Sequence, residues 1–338
     1  MDLNLLWFIL MGVLLTGYAI LDGFDLGVGI MHFVGRTDGD RRIFMNSIGP
    51  LWDGNEVWLV TFGGAMFAAF PDVYATVFSG FYTAFMLLLF ALIFRAVSME
   101  FRSKREAPAW RKTWDLSFSL ASGVAALLFG VAVGNAILGI PIGADKEFQG
   151  GFFDLLSPYT VVVGLLTVVL MAMHGSIFLY LKTEGKLQQS LRPWMWRTFF
   201  AFLVLYTATT IYTLVNVPSA TAHFKEFGWS WGVVALNVLA IANIPRAIYH
   251  GRPFYAFLSS CATIAALCFL FGVALFPNLV VSSIDPAYSL TITNAASSQK
   301  TLGIMAIIAI VGMPFVLAYT AAIYWAFRGK VRIGEHSY

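Results

Sequence analysis

The sequence predicts an all-α polytopic membrane protein of about nine transmembrane helices, and three observations carry that prediction. Of its 338 residues, 59% are hydrophobic and only 12% are charged, where a soluble domain carries roughly 25% charged residues. The mean hydropathy is +0.77. The apolar residues fall in continuous runs, each close to the roughly 20 residues that a hydrocarbon core of about 30 Å requires. Continuous rather than alternating runs speak against an all-β architecture.

The first run follows Met1-Asp2 with no cationic stretch before it, so it reads as a retained span and not a cleaved signal peptide. Spans are expected near 5–34, 50–70, 73–99, 114–138, 159–181, 195–217, 231–250, 254–276 and 301–327. The links between them carry Pro71, Pro141, Pro158, Pro193, Pro218, Pro253 and Pro277.

Orientation follows from the distribution of Lys and Arg. With the N-terminus outside and the C-terminus cytoplasmic, 18 of the 21 cations are inner. They are Arg36, Arg41 and Arg42; Arg95, Arg102, Lys104, Arg105, Arg111 and Lys112; Lys182, Lys186, Arg192 and Arg197; Arg246 and Arg252; Arg328, Lys330 and Arg332. Lys146, Lys225 and Lys300 stay outside. Trp110, Trp114, Trp194, Trp196, Trp229, Trp231 and Trp325 sit near span ends, as headgroup-layer anchors.

Several function classes find no support. The net charge is +3 without a basic stripe, so no nucleic-acid partner is expected, and there is no CxxC, HExxH or Walker sequence. GVG at 27–29 is too short for a dinucleotide fingerprint. Cys261 and Cys268 are seven residues apart, roughly 10 Å along a helix, too far for a disulfide. His174 is the histidine well inside a span; it reads as a haem ligand or, more readily, as a hydrogen bonder between helices. His32 and His250 fall at inner span ends, His223 and His336 in a loop and the tail. Gly130 and Gly134 read as a close helix contact, and FRSKRE at 101–106 as a topological, lipid-facing segment.

The chemistry concentrates in the first two spans. Asp22 and Asp25 lie in LDGFDLGVG, Asp53 and Glu56 in LWDGNEVWLV, each pair spaced i, i+3 on one helix face. A carboxylate at mid-membrane costs roughly 2.5–3.5 kcal/mol on insertion scales, so such residues face a bundle interior or a wet cavity. Both pairs fall in the cytoplasmic half, Asp25 about 12–14 Å from the inner end of its span. Acids desolvated side by side titrate as a coupled set. A half-membrane proton path open to the cytoplasm follows, with Asn55 and Thr61 extending its hydrogen bonding. The alternative is that acids near helix ends cap helices or pair with loop arginines. Asp22 and Glu56 fit that reading at least as well; Asp25 and Asp53, in Gly-flanked polar patches, fit the proton role better.

At these residues the chain resembles the cytochrome bd quinol oxidase subunit II family. The matching stretches are DGFDLGVG at 22–29, RRIFMNSIGPLWDGNEVWL at 41–59, GGAMFAAFPDVYATVFSGFY at 63–82, FRSK at 101–104, GN at 134–135 and ITNAASSQKTLGIM at 292–305. The resemblance runs through the chain and is strongest in its first 140 residues. It implies two four-helix bundles plus one peripheral helix. The first bundle would take 1–138, the second 139–276, and 277–338 the outer loop, ninth helix and tail. It implies a partner, subunit I, that carries haems b and d and the quinol site, with this chain haem-free. A structural quinone and a small single-helix third subunit occur in such complexes. Quinol and dioxygen are the substrates of the assembly. Asp53 then corresponds to a cytoplasmic proton channel at the subunit interface and Asp25 to a second hydrophilic path, with Glu56 as an electrostatic neighbour. A proton- or sodium-coupled transporter is the rival class; a purely structural assembly subunit is a third.

Overall fold

The structure is a computed structural model and describes residues 2–218, 220–221 and 227–334; His223, Lys225 and His336 lie outside the described residues. The chain is helical almost throughout. Helix α1 (Leu3–Ile30) starts on Asp2, whose side chain accepts from the Asn4 N–H. The segment from Arg36 to Gly49, expected as a loop, is largely helix α2 (Asp38–Ile48). A reciprocal cap between Thr37 and Asp40 nucleates it, and its apolar face (Phe44, Met45, Ile48) is buried. Helices α3 (Trp52–Ala69), α4 (Pro71–Gly80), α5 (Tyr82–Arg102) and α6 (Pro108–Leu138) follow. Then come α7 (Pro158–Lys182), α8 (Gly185–Asn216), α9 (Ser230–Tyr249), α10 (Pro253–Leu275) and α11 (Gln299–Ala326).

Among the described residues, eight helices are long and apolar enough to cross a membrane: α1 and α5 to α11. The expected span at 50–70 is present as α3, but its 18 residues open on Asp53 and Glu56 and it falls short of that measure. The expected span at 73–99 is two helices, α4 and α5, broken at Phe81, where the backbone of Gly80 lies against the Phe148 ring. Pro71, Pro158 and Pro253 do mark helix starts at the first-turn position that tolerates a missing N–H. Pro193 does not mark a link. It lies inside α8, which begins ten residues earlier than expected in the polar run KLQQSLR.

The helices pack along one axis with the basic segments at one end, here called the basic end. Helix α1 is the central element and lies against α3, α6, α7 and α10. It meets α7 at Gly27 and Gly175, where the two backbones touch. Gly130 and Gly134 of α6 pack on Gly164 and Thr160 of α7, the close approach the sequence predicts. At the end opposite the basic one, a short antiparallel pair, β1 (Asn278–Val280) and β2 (Leu290–Thr291), covers the bundle.

Helix α11 is fastened at its two ends and bare between them. At its start, Ser297 N–H donates to Ala69 O (2.8 Å) and the Trp7 indole donates to Leu302 O (3.0 Å). Past its other end, Lys330 Nζ donates to Leu181 O and Thr183 O (both 2.8 Å), and Lys182 reaches Phe327 O. Its middle exposes Ile307, Ile310, Val311 and Phe315.

Candidate functional site

Three of the four acids of the first two spans, Asp22, Asp25 and Glu56, meet near the basic end of α1. Asp22 and Asp25 are fully buried, one turn apart on α1. Helix α1 stops at Ile30, not near Val34, so Asp25 lies only about 7.5 Å of helical rise from its end. Helix α3 runs antiparallel beside it and brings its first turn to the same level. Asn55 Nδ2 donates to Asp25 Oδ2 (2.8 Å) and to Leu21 O (3.2 Å), and Tyr324 of α11 donates to Asn55 Oδ1 (2.8 Å). Asp25 Oδ1 is buried with no hydrogen-bond partner.

The second half of the cluster is built on an arginine. Arg95 of α5, 1% exposed, donates from Nη1 to Asp22 Oδ2 (3.0 Å), and its Nη2 makes ion-pair contacts 2.8 Å from Asp22 Oδ1 and 3.7 Å from Glu56 Oε2. Counting cations by loop puts Arg95 among the inner-loop residues, but it sits seven residues inside α5 and serves as a buried counter-ion. One guanidinium is therefore shared by Asp22 and Glu56, with the Asp25 carboxyl one turn along α1, so the cluster holds three acids and one cation. A set with fewer cations than acids, held out of water, changes its charge balance by binding or releasing a proton.

Asp53 is not part of this cluster. It is exposed on the outer face of α3, two residues before Asn55 and so pointing away from it. Thr61 does not extend the network either: its hydroxyl donates to Val57 O of its own helix (2.8 Å). Trp58 covers Gly17 of α1, a packing role.

A second buried polar cluster ties the basic end together. Asp115 of α6 accepts from His32 Nε2 (2.6 Å), Arg102 Nε (2.6 Å) and Arg41 Nη1 (3.1 Å). Asp38 of α2 accepts from Arg102 (2.7 Å) and Arg111 (3.0 Å). Four elements are thereby pinned to one another. Arg102 of the FRSKRE segment is 1% exposed and internal, not lipid-facing.

His174 has no nitrogen to spare. Nδ1 bonds Ser260 Oγ (2.7 Å), Nε2 bonds Ile20 O (3.0 Å), and the ring stacks on Phe257 at 4.9 Å. The residues present therefore do not fit an axial haem ligand at this position. Among the described residues, no group of three His, Cys, Asp or Glu is arranged to hold a metal ion.

Two site residues were missed from the sequence. Arg95 carried a signal, a cation inside the apolar run FALIFRAVSME. Tyr324 carried none, since only the fold brings α11 onto α3.

Comparison with known proteins places the whole chain. The family model described as cytochrome bd terminal oxidase subunit II matches residues 3–327. The chain is 37% identical to the cytochrome bd-I ubiquinol oxidase subunit 2 of Escherichia coli K12, over 97% of this chain and 95% of that protein. It is 34% identical to the cytochrome bd ubiquinol oxidase subunit 2 of Bacillus subtilis, over 98% and 97%. A chain in the solved structure of bd oxidase from Geobacillus thermodenitrificans shares the fold, with a TM-score of 0.80 at 17% identity over 97% of this chain and 99% of that one.

Proposed function

Because this chain belongs to the cytochrome bd terminal oxidase subunit II family, we propose that it is the haem-free subunit of a quinol:dioxygen oxidoreductase. It pairs with a larger subunit I that carries haems b and d and the quinol site, and it lines the route by which protons reach dioxygen. It spans the membrane with its N-terminus outside and its C-terminus cytoplasmic, so the basic end faces the cytoplasm. The first bundle takes residues 1–138, the second 139–276, and 277–338 the outer loop, the last helix and the tail. A structural quinone and a small third subunit are compatible with this assignment.

Quinol oxidation releases protons, and reduction of dioxygen to water consumes them. When release is to the outside and uptake from the cytoplasm, charge crosses the membrane without a pump. The single observation that supports a proton role for this chain is the Asp25 carboxyl: fully buried, oriented by Asn55 on one oxygen, unpartnered on the other. A carboxylate with a free oxygen in a buried polar chain takes up and passes on a proton. Asp53, exposed on α3, is the entry group and works against the partner subunit's surface. Glu56 and Asp22 share Arg95 and set the field at Asp25. The transporter alternative loses ground because the oxidase relatives match end to end.

The test uses the purified two-subunit complex. Asp25→Asn and Asp53→Asn are expected to slow oxygen reduction by at least about tenfold, some 1.4 kcal/mol on the barrier. The membrane potential falls in proportion, while haem spectrum and subunit content stay unchanged. Full turnover in both variants at normal assembly would remove the proton role and leave a structural subunit.

A further inference from the structure

Tyr324 comes from the last helix, far from the two acidic motifs in sequence, yet its hydroxyl ends in the middle of their network. The geometry of the amide between them is fully determined. Asn55 Oδ1 can only accept, and it accepts from Tyr324 at 2.8 Å. Asn55 Nδ2 can only donate, and its two hydrogens go to Asp25 Oδ2 and Leu21 O. The direction of donation is thus set along the chain, from Tyr324 through Asn55 to Asp25. Rotating the amide by half a turn would place Oδ1 against a carboxylate and a carbonyl, acceptor against acceptor.

We propose that Tyr324 is a positioning residue for Asp25, holding Asn55 so that a donor and never an acceptor faces the carboxyl group. The inference rests on the proton-path reading of Asp25 given above. It also gives the last helix a part in the chemistry beyond packing. The titratable and charged groups around this chain are Asp22 on α1, Glu56 on α3, Arg95 on α5, His174 on α7 and Cys261 on α10. His174 is closed off by its own two hydrogen bonds, and Arg95 is engaged with Asp22, so neither substitutes for the Tyr324 hydroxyl at Asn55.

The experiment compares Tyr324→Phe, Asn55→Leu, the double variant and Asp25→Asn in the purified oxidase. Tyr324→Phe removes one oxygen, and α11 keeps its other fastenings at Leu302, Leu181 and Thr183, so assembly and haem content are expected to hold. Turnover falls by about two- to tenfold, the worth of one hydrogen bond, and the pH–rate profile is displaced, which a loss of packing alone does not do. In the Asn55→Leu background the same change has no further effect, because its only route to Asp25 is gone. A Tyr324→Phe penalty that persists in full on Asn55→Leu overturns the inference and makes Tyr324 a helix anchor. An unmoved profile in Tyr324→Phe, with Asp25→Asn slow, also overturns it and leaves the proton path standing. Asp25→Asn at full speed overturns both.

Discussion

Arg95→Met is expected to lower the stability of the protein by about 3–5 kcal/mol, the usual result of stripping the partner from a buried ion pair. Asp22 is fully buried, accepts from Arg95 Nη1 at 3.0 Å and has Nη2 in ion-pair contact at 2.8 Å, and Glu56 leans on the same group at 3.7 Å. Without Arg95, Asp22, one turn from Asp25 on α1, and Glu56 on α3 lose the cation they share. The chain then either buries unpaired charge or opens the contact between α1, α3 and α5. Thermal unfolding of the purified complex, with the yield of assembled complex from membranes, measures the loss. Asp22→Asn placed on top of Arg95→Met should recover part of it by removing the stranded charge. A single variant that melts with the wild type would show that the pair contributes nothing.

Gly175→Leu is the second large effect. A Cβ at this position falls 2.5 Å from Gly27 Cα and 2.6 Å from Val28 N, atoms of the backbone of α1 that no rotamer change can move. Overpacking a core costs about 1–3 kcal/mol when side chains can give; here the helices themselves must separate, and the loss exceeds that range. Because α1 also carries Asp22 and Asp25, a displaced α1 takes the site with it. Loss of assembled complex and of oxygen reduction together is the expected readout. Gly12→Leu, on α1 with nothing within 4 Å of its Cβ, is the control that should assemble normally. Normal assembly of Gly175→Leu would mean that α1 and α7 do not cross as described.

The membrane class and most helix positions were legible because they follow from one local property, the length of an apolar run. The sequence also exposed the acidic pairs, since a carboxylate inside such a run is conspicuous whatever its partners. Partners were another matter. Arg95 was visible in its run, yet a count by loops assigned it to the inner surface, because such counting treats every cation near a span end as solvated. Tyr324 and the His32–Asp115–Arg102 cluster were illegible, since each joins residues tens to hundreds apart and neither leaves a periodic trace. Helix α2 was misread as a loop although its cap, Thr37 followed three residues later by Asp40, was there to be read: an acidic N3 satisfies the cap backbone as a glutamate does. Asp53 and Asp25 looked equivalent from spacing alone. Only the rotation of α3 separates them, one outward and one held by Asn55.

The last helix has the mechanics of a beam on two supports. It rises about 42 Å over its 28 residues, with Pro314 near its middle. One support is the Trp7 and Ala69 junction, and the other is the Lys330 and Lys182 contacts, with the Tyr324 hydroxyl that orients Asn55 just before it. Between the supports, Ile307, Ile310, Val311 and Phe315 are left for lipid or a neighbouring subunit to cover.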